Sequence, residues 1–195
     1  VYGSPLSVRT LLLRCLPAAI ALLLACAKAA EQPFPPLDRL HYPAWLATWE
    51  DQLLVVNLDQ DLAYSAGTLL AFDDRDTAGT LHGGMAVPNV AGKILVPSAE
   101  ELAACTAFGA GVPGDFALVA GRTEDVLLVP ALASGAAPTC GAGCRIELDP
   151  FSATYPFGVG FSCGADGITR AWVGFQEGRN GTGYLAQVDL SKAPP

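Results

Sequence analysis

Between Tyr155 and Leu190 three short runs rich in valine and aromatic residues alternate with glycine turns, and no other feature restricts the possible fold as tightly. The runs are Pro156-Phe157-Gly158-Val159-Gly160-Phe161, Thr169-Arg170-Ala171-Trp172-Val173-Gly174-Phe175 and Gly183-Tyr184-Leu185-Ala186-Gln187-Val188-Asp189-Leu190. Branched and aromatic side chains suit a pleated, half-buried surface, and each run has the length of a strand. The breaks, Gly164-Ala165-Asp166-Gly167 and the Gly178-to-Gly183 segment, carry hairpin chemistry, because glycine supplies the positive φ that tight turns need. The stretch therefore reads as three strands joined by turns. A looser version of the pattern occurs twice upstream.

Composition agrees with an all-β reading. Of 195 residues, 51% are hydrophobic and 15% charged, enough to bury a core. The 21 glycines and 15 prolines punctuate the chain at short intervals instead of gathering in one tract, which favours many short strands. The formal charge is -8, and since Arg9 and Arg14 are the only charges of the leader, the remainder stands at -10. Phosphate binding needs a basic surface, so a nucleic-acid partner is disfavoured. The acidity instead suits a soluble exported domain.

The first 26 residues follow the grammar of a secretory leader. Arg9 and Arg14 precede an apolar run over residues 16–25, and small residues follow. That run is too short for a comfortable transmembrane helix. Within it Leu23-Leu24-Ala25-Cys26 is similar to the lipobox of bacterial lipoproteins, which makes Cys26 the candidate lipid anchor; Leu24 is the less usual residue at its position. The alternative is cleavage after Ala29, at the small-x-small site Ala27-Lys28-Ala29, giving a soluble secreted protein. Residues 27–36, with Pro33, Pro35 and Pro36, form an extended tether. Val1 is not a methionine, so the chain is treated as a fragment of a longer one.

Export gives a reason for Cys105, Cys140, Cys144 and Cys163, an even number suited to two disulfides in an oxidising compartment. Cys140 with Cys144 would close a tight local loop and leave Cys105 to Cys163, one of three connectivities. A zinc site would need thiolates or histidines at paired spacings. Here one short pair stands beside two isolated cysteines, so neither metal nor cofactor is expected.

The domain expected over residues 37–195 divides into three units. Residues 37–76 hold strands at Trp45–Trp49, 52–58 and 67–72, with a polar rim loop from Asp59 to Gly67 and an acidic turn at Asp73, Asp74 and Asp76. Residues 79–133 hold strands at 92–97, 115–120 and 125–132, plus a helical insertion at 98–105 in which Ser98 and Glu101 form a capping box. Residues 140–190 begin with a strand at 144–148 that could complete the sheet of its neighbour, and continue through the opening stretch. A repeat of this length is the signal of a β-propeller-like array of short antiparallel strands, with a β-sandwich as the alternative.

The units resemble the secreted seven-bladed β-propeller repeat proteins of bacteria, whose repeats carry a Tyr-Val-Thr-Asn-like strand. Pro156-Phe157-Gly158-Val159 stands where the family has Pro-x-Gly-Leu-Ala, Arg170-Ala171-Trp172-Val173 where it has x-Ala-Tyr-Val, and Ala186 to Leu190 where it has Val-x-Val-Ile-Asp. Leu54-Val55-Val56-Asn57 with the segment Thr68 to Asp73, and Leu118 to Val129, are weaker echoes. Three units cannot close a ring of six to eight blades. The resemblance thus implies further blades beyond Pro195, or a fold other than the closed propeller.

No reactive constellation emerges. Gly160-Phe161-Ser162-Cys163-Gly164 matches the Gly-x-Ser-x-Gly nucleophile elbow, which requires a strand-to-helix turn and a later histidine. Ser162 is instead followed by a turn and another strand, and no histidine lies beyond His82. The aspartates at 59, 61, 73, 74 and 76 lack the spacing of an EF-hand loop. His41 and His82 read as loop residues, Asn180-Gly181-Thr182 as turn geometry, and Trp45, Trp49 and Trp172 as sheet packing. Asp59, Asp61, Asp74 and His82 are the candidate rim-loop binding residues, with no catalytic residue assigned.

The resulting expectation is an exported, lipid-anchored module at the periplasmic or outer surface of the cell envelope, touching the membrane through its anchor alone. It would bind or scaffold a protein or polymer whose identity the sequence leaves open. The competing expectation, implied by the resemblance, is a lactonase-like hydrolase whose carboxylates line a central channel.

Overall fold

The computed structural model describes residues 32–107, 114–148, 153–178 and 183–192. The chain forms two units, Val1–Gln32 and Pro33–Pro195. The leader with Cys26, the tether up to residue 31 and the Asn180 turn lie outside the described residues.

Among its described residues the second unit is all-β apart from one helix and a terminal 3-10 turn. Its first sheet is a meander of β1 (Pro43–Trp49), β2 (Gln52–Asn57), β3 (Gly67–Asp73) and β4 (Leu81–Val87), in the order β1-β2-β3-β4. The second joins β5 (Ala91–Leu95), β6 (Leu118–Gly121), β7 (Val126–Leu128) and β8 (Arg145–Glu147) in the order β5-β6-β7-β8. The third has β9 (Ala153–Cys163), β10 (Thr169–Gly178) and β11 (Tyr184–Asp189), with β10 in the middle. All pairs are antiparallel and none of the three sheets closes on itself.

One strand crosses the expected unit limits, and another completes a neighbouring sheet as expected. Leu81–Val87, a stretch inside the expected second unit for which the sequence suggested no strand, pairs with β3 and completes the first sheet. Its His82-Gly83-Gly84-Met85 sequence carries little strand propensity, and partner pairing overrides that deficit. Arg145–Glu147 pairs with β7 and completes the second sheet.

The turns follow from local chemistry. Glu50 closes the β1–β2 hairpin at a φ of 50° and Asp125 the β6–β7 link at 48°. Gly167, at 73°, closes the β9–β10 turn, where Asp166 also accepts the Ile168 N–H at 3.2 Å. The helix α1 (Ala99–Ala107) starts on the expected capping box: Ser98 N–H donates to Glu101 Oε2 at 2.7 Å and Glu101 N–H to Ser98 Oγ at 3.2 Å.

Alternation of side chains along the strands sorts the interior into two cores. Leu118, Ala120, Leu127 and Val129 pack with Val159, Ala171, Val173, Ala186 and Val188 of the third sheet. Their neighbours Ala117, Val119, Val126 and Leu128 pack with Leu54, Val56, Leu69 and Ala71 of the first. β6 and β7 of the second sheet thus form a middle layer, buried on both faces. Full burial of a leucine or valine side chain is worth about 1.5–3 kcal/mol, so each residue step along β6 and β7 stabilises one interface or the other. Trp45 and Trp49 lie partly buried against the second of these cores.

The four cysteines of this unit are joined as Cys105–Cys163 and Cys140–Cys144, with Cα separations of 5.2 and 5.3 Å. The first ties α1 to the end of β9, and the second closes the loop that feeds β8. All four are thereby withdrawn from thiolate–zinc chemistry.

Candidate functional site

The rim loop between β2 and β3 is organised by a buried amide. Asn57, the last residue of β2, accepts the His41 N–H on Oδ1 at 3.3 Å and donates through Nδ2 to Thr68 Oγ1 at 2.8 Å. The segment entering β1 is thereby fixed beside the start of the loop, and the Leu58 N–H donates to the Tyr42 carbonyl at 2.9 Å. Asp59 is 0% exposed. Its two carboxylate oxygens share the Tyr64 N–H at 3.1 Å, and its own N–H donates to the Asn89 carbonyl at 2.8 Å. Leu62 turns the loop at a φ of 54°.

This path brings His41, Asp59 and Asp61 together, with one potential ligand atom from each lying within 4.8 Å of the others. His41 Nε2 stands 3.7 Å from Asp61 Oδ1, which accepts the Ala63 N–H at 3.3 Å. Tyr42 Oη approaches Asp61 Oδ2 at 3.5 Å, and the edges of Tyr42 and Tyr64 flank the imidazole at centroid distances of 4.9 and 4.6 Å. The aspartates were legible as a rim loop. His41 was not linked to them, because the Asn57 clamp that joins them is a tertiary contact.

The other rim-loop candidates lie elsewhere. Asp74 shares a shallow cleft of about 430 Å³ with Asp73, Asp76, Leu53, Val55 and Phe72. In that turn Asp76 is held below the ordinary carboxylate range, first by the Thr80 hydroxyl and then by the Ala78 N–H. Arg75 pairs with Asp51 and so occupies the turn's basic group. His82 falls at the irregularity in β4, between the pairs Ala71 with Gly83 and Phe72 with Leu81. It joins neither the His41 cluster nor this cleft.

A second concavity was not foreseen. A groove of about 600 Å³ is lined by Arg122, Phe157, Gly158, Gly174, Phe175 and Gln176. Gly158 and Gly174 face each other across β9 and β10 and leave its floor bare. A Cβ placed on Gly158 would meet nothing within 4 Å. Arg122 reaches over from the β6–β7 turn, donating to Gln176 Oε1 at 2.6 Å and lying 5.4 Å from the Tyr155 ring centre. Phe157 rests edge-on against Trp45 at 5.6 Å. At Gly92 a Cβ would come within 2.6 Å of the Phe157 carbonyl, so glycine lets β5 pass close under this residue. The glycines were visible in the sequence, but nothing there marked Arg122 or Gln176 as their neighbours.

Ser162 is placed in β9, opposite Arg170 of β10, and accepts the Trp172 indole N–H at 2.7 Å. It sits within an antiparallel sheet and not on a strand-to-helix elbow.

Comparison of the chain with protein-family models, with curated proteins and with solved structures yields no significant match. The fold and site define an all-β protein of three antiparallel sheets, stapled by two disulfides, that carries an open groove and a rim cluster. The two disulfides fit an oxidising, exported environment. Among the described residues no helix is long and apolar enough to cross a membrane.

Proposed function

We propose that this chain is a binding module of the cell envelope, exported and held there through a lipid on Cys26, and that its groove takes an extended segment of an envelope polymer. The observation that carries this reading is the bare floor made by Gly158 and Gly174, rimmed by one aromatic face and a hydrogen-bonded Arg122–Gln176 pair. Mostly apolar concavities with a few converging polar groups are the usual form of a ligand site. The groove is open to solvent, so a chain longer than it can extend beyond it. Phe157, 44% exposed, offers a ring on which a sugar or a planar peptide unit can stack.

The three sheets are read as successive propeller blades. Each is a meander in chain order, and they stack face to face in that same order. A middle layer buried on both faces supports this reading over a two-layer sandwich.

Co-sedimentation of the purified chain with insoluble envelope polymer tests the binding reading. Saturable retention, competed away by soluble fragments of that polymer, is the expected result; retention no greater than that of an unrelated protein of equal charge contradicts it. Release of the chain from membranes when Cys26→Ser replaces the anchor tests the attachment.

A further inference from the structure

We propose that His41, Asp59 and Asp61 form a site for one divalent transition-metal ion, with zinc the best match to the donor set. The 3.7 Å between His41 Nε2 and Asp61 Oδ1 is too long for a hydrogen bond. It is close to the separation of two ligands on one ion, since zinc bonds of about 2.0–2.2 Å at tetrahedral angles place donors about 3.3–3.6 Å apart. The three ligand atoms together fall within 4.8 Å, so a small closing movement would bring all of them onto one centre.

Two further observations point to a cation at this cluster. His41 Nε2 is buried and has no hydrogen-bond partner. Buried polar atoms are normally satisfied, so each such atom calls for an explanation. The Asp59 carboxylate is completely buried and accepts the Tyr64 N–H, and among the described residues no lysine or arginine forms a salt bridge with it. Burying a carboxylate in its charged form is costly unless a counter-charge or a metal ion pairs with it.

The surrounding contacts are those of a prepared site. The Tyr64 and Ala63 amides orient the two carboxylates, and Asn57 fixes the backbone of His41. Such outer contacts set ligand direction in metal centres. An imidazole among the donors disfavours calcium and magnesium, which take oxygen ligands, and suits zinc. Three protein ligands leave a fourth position for water or an outside group. The site draws on one sheet and its loops, and it stands independently of the groove.

The test is calorimetric titration of Zn²⁺ into the full chain, free of affinity histidines, with both disulfides formed and the buffer stripped of metal. Wild type should take up one equivalent and melt at a higher temperature with zinc than without. Co²⁺ should give the intense visible bands of a four-coordinate site. His41→Gln and Asp61→Asn, both at partly exposed positions, should each weaken uptake by about tenfold or more. Absence of heat and of a melting shift in wild type overturns the proposal, whatever the variants do. Uptake that both folded variants retain in full overturns it equally, because the zinc would then be bound elsewhere.

Discussion

The indole N–H of Trp172 donates to Ser162 Oγ at 2.7 Å across the β9–β10 pair, so the one serine with the sequence context of a nucleophile is spent on holding a tryptophan. Ser162→Ala should leave that part-buried N–H unpaired and cost about 1 kcal/mol. The midpoint of urea unfolding measures it. Binding to envelope polymer should be unchanged, because Ser162 does not line the groove.

The two disulfides should differ in weight. Cys105–Cys163 spans a sequence separation of 58, and Cys140–Cys144 one of 4. Loop-closure entropy in the unfolded chain then assigns about 4 kcal/mol to the first and about 2 kcal/mol to the second. The Cys105→Ala/Cys163→Ala pair of replacements should accordingly lower the melting temperature clearly more than Cys140→Ala/Cys144→Ala. Equal losses would show that the α1–β9 tie does not constrain the chain.

Asp166 sets a pH signature. The Arg170 guanidinium, followed by the Ile168 N–H, holds its carboxyl at about 2 against an ordinary 3.8. A depressed folded-state value means that the stabilisation is complete above the unfolded value near 3.8 and is lost as pH falls through about 2. Carboxyl-carbon NMR titration should place Asp166 in that low range. Arg170→Met should return it towards the ordinary value, and an unchanged titration would remove Arg170 as the cause.

Much of the architecture could be read before the structure, and the reasons for the remainder are physical. The strands around Trp45, Leu54, Ala171 and Val188 declare themselves through branched and aromatic runs, and Ser98 with Glu101 marks the start of α1 by its own side-chain chemistry. One of the three open cysteine connectivities, the local loop with its long-range partner, is the one that forms. β4 went unread because His82, Gly83 and Gly84 have no strand propensity of their own. They are held by pairing with β3, and a Cβ on Gly84 would collide with Leu70. The sites were hardest to see. His41 meets Asp59 and Asp61 only through Asn57, and Arg122 meets Gln176 only after the second and third sheets pack together. Periodicity records which face a residue occupies; it carries no information on what a neighbouring sheet brings to that face.

The binding reading rests on the empty space over Gly158, and Gly158→Val fills that space without a backbone clash, since a Cβ there meets nothing within 4 Å. Removing a strand glycine should also hold or raise stability, by up to about 1 kcal/mol. The decisive measurement is the affinity of wild type and of folded Gly158→Val for envelope polymer, side by side with their melting temperatures. The account predicts that the variant melts no lower than wild type and binds at least about tenfold more weakly, a difference of about 1.4 kcal/mol. Undiminished binding by the stable variant would contradict it, and would place the ligand somewhere other than the groove between Phe157 and Gln176.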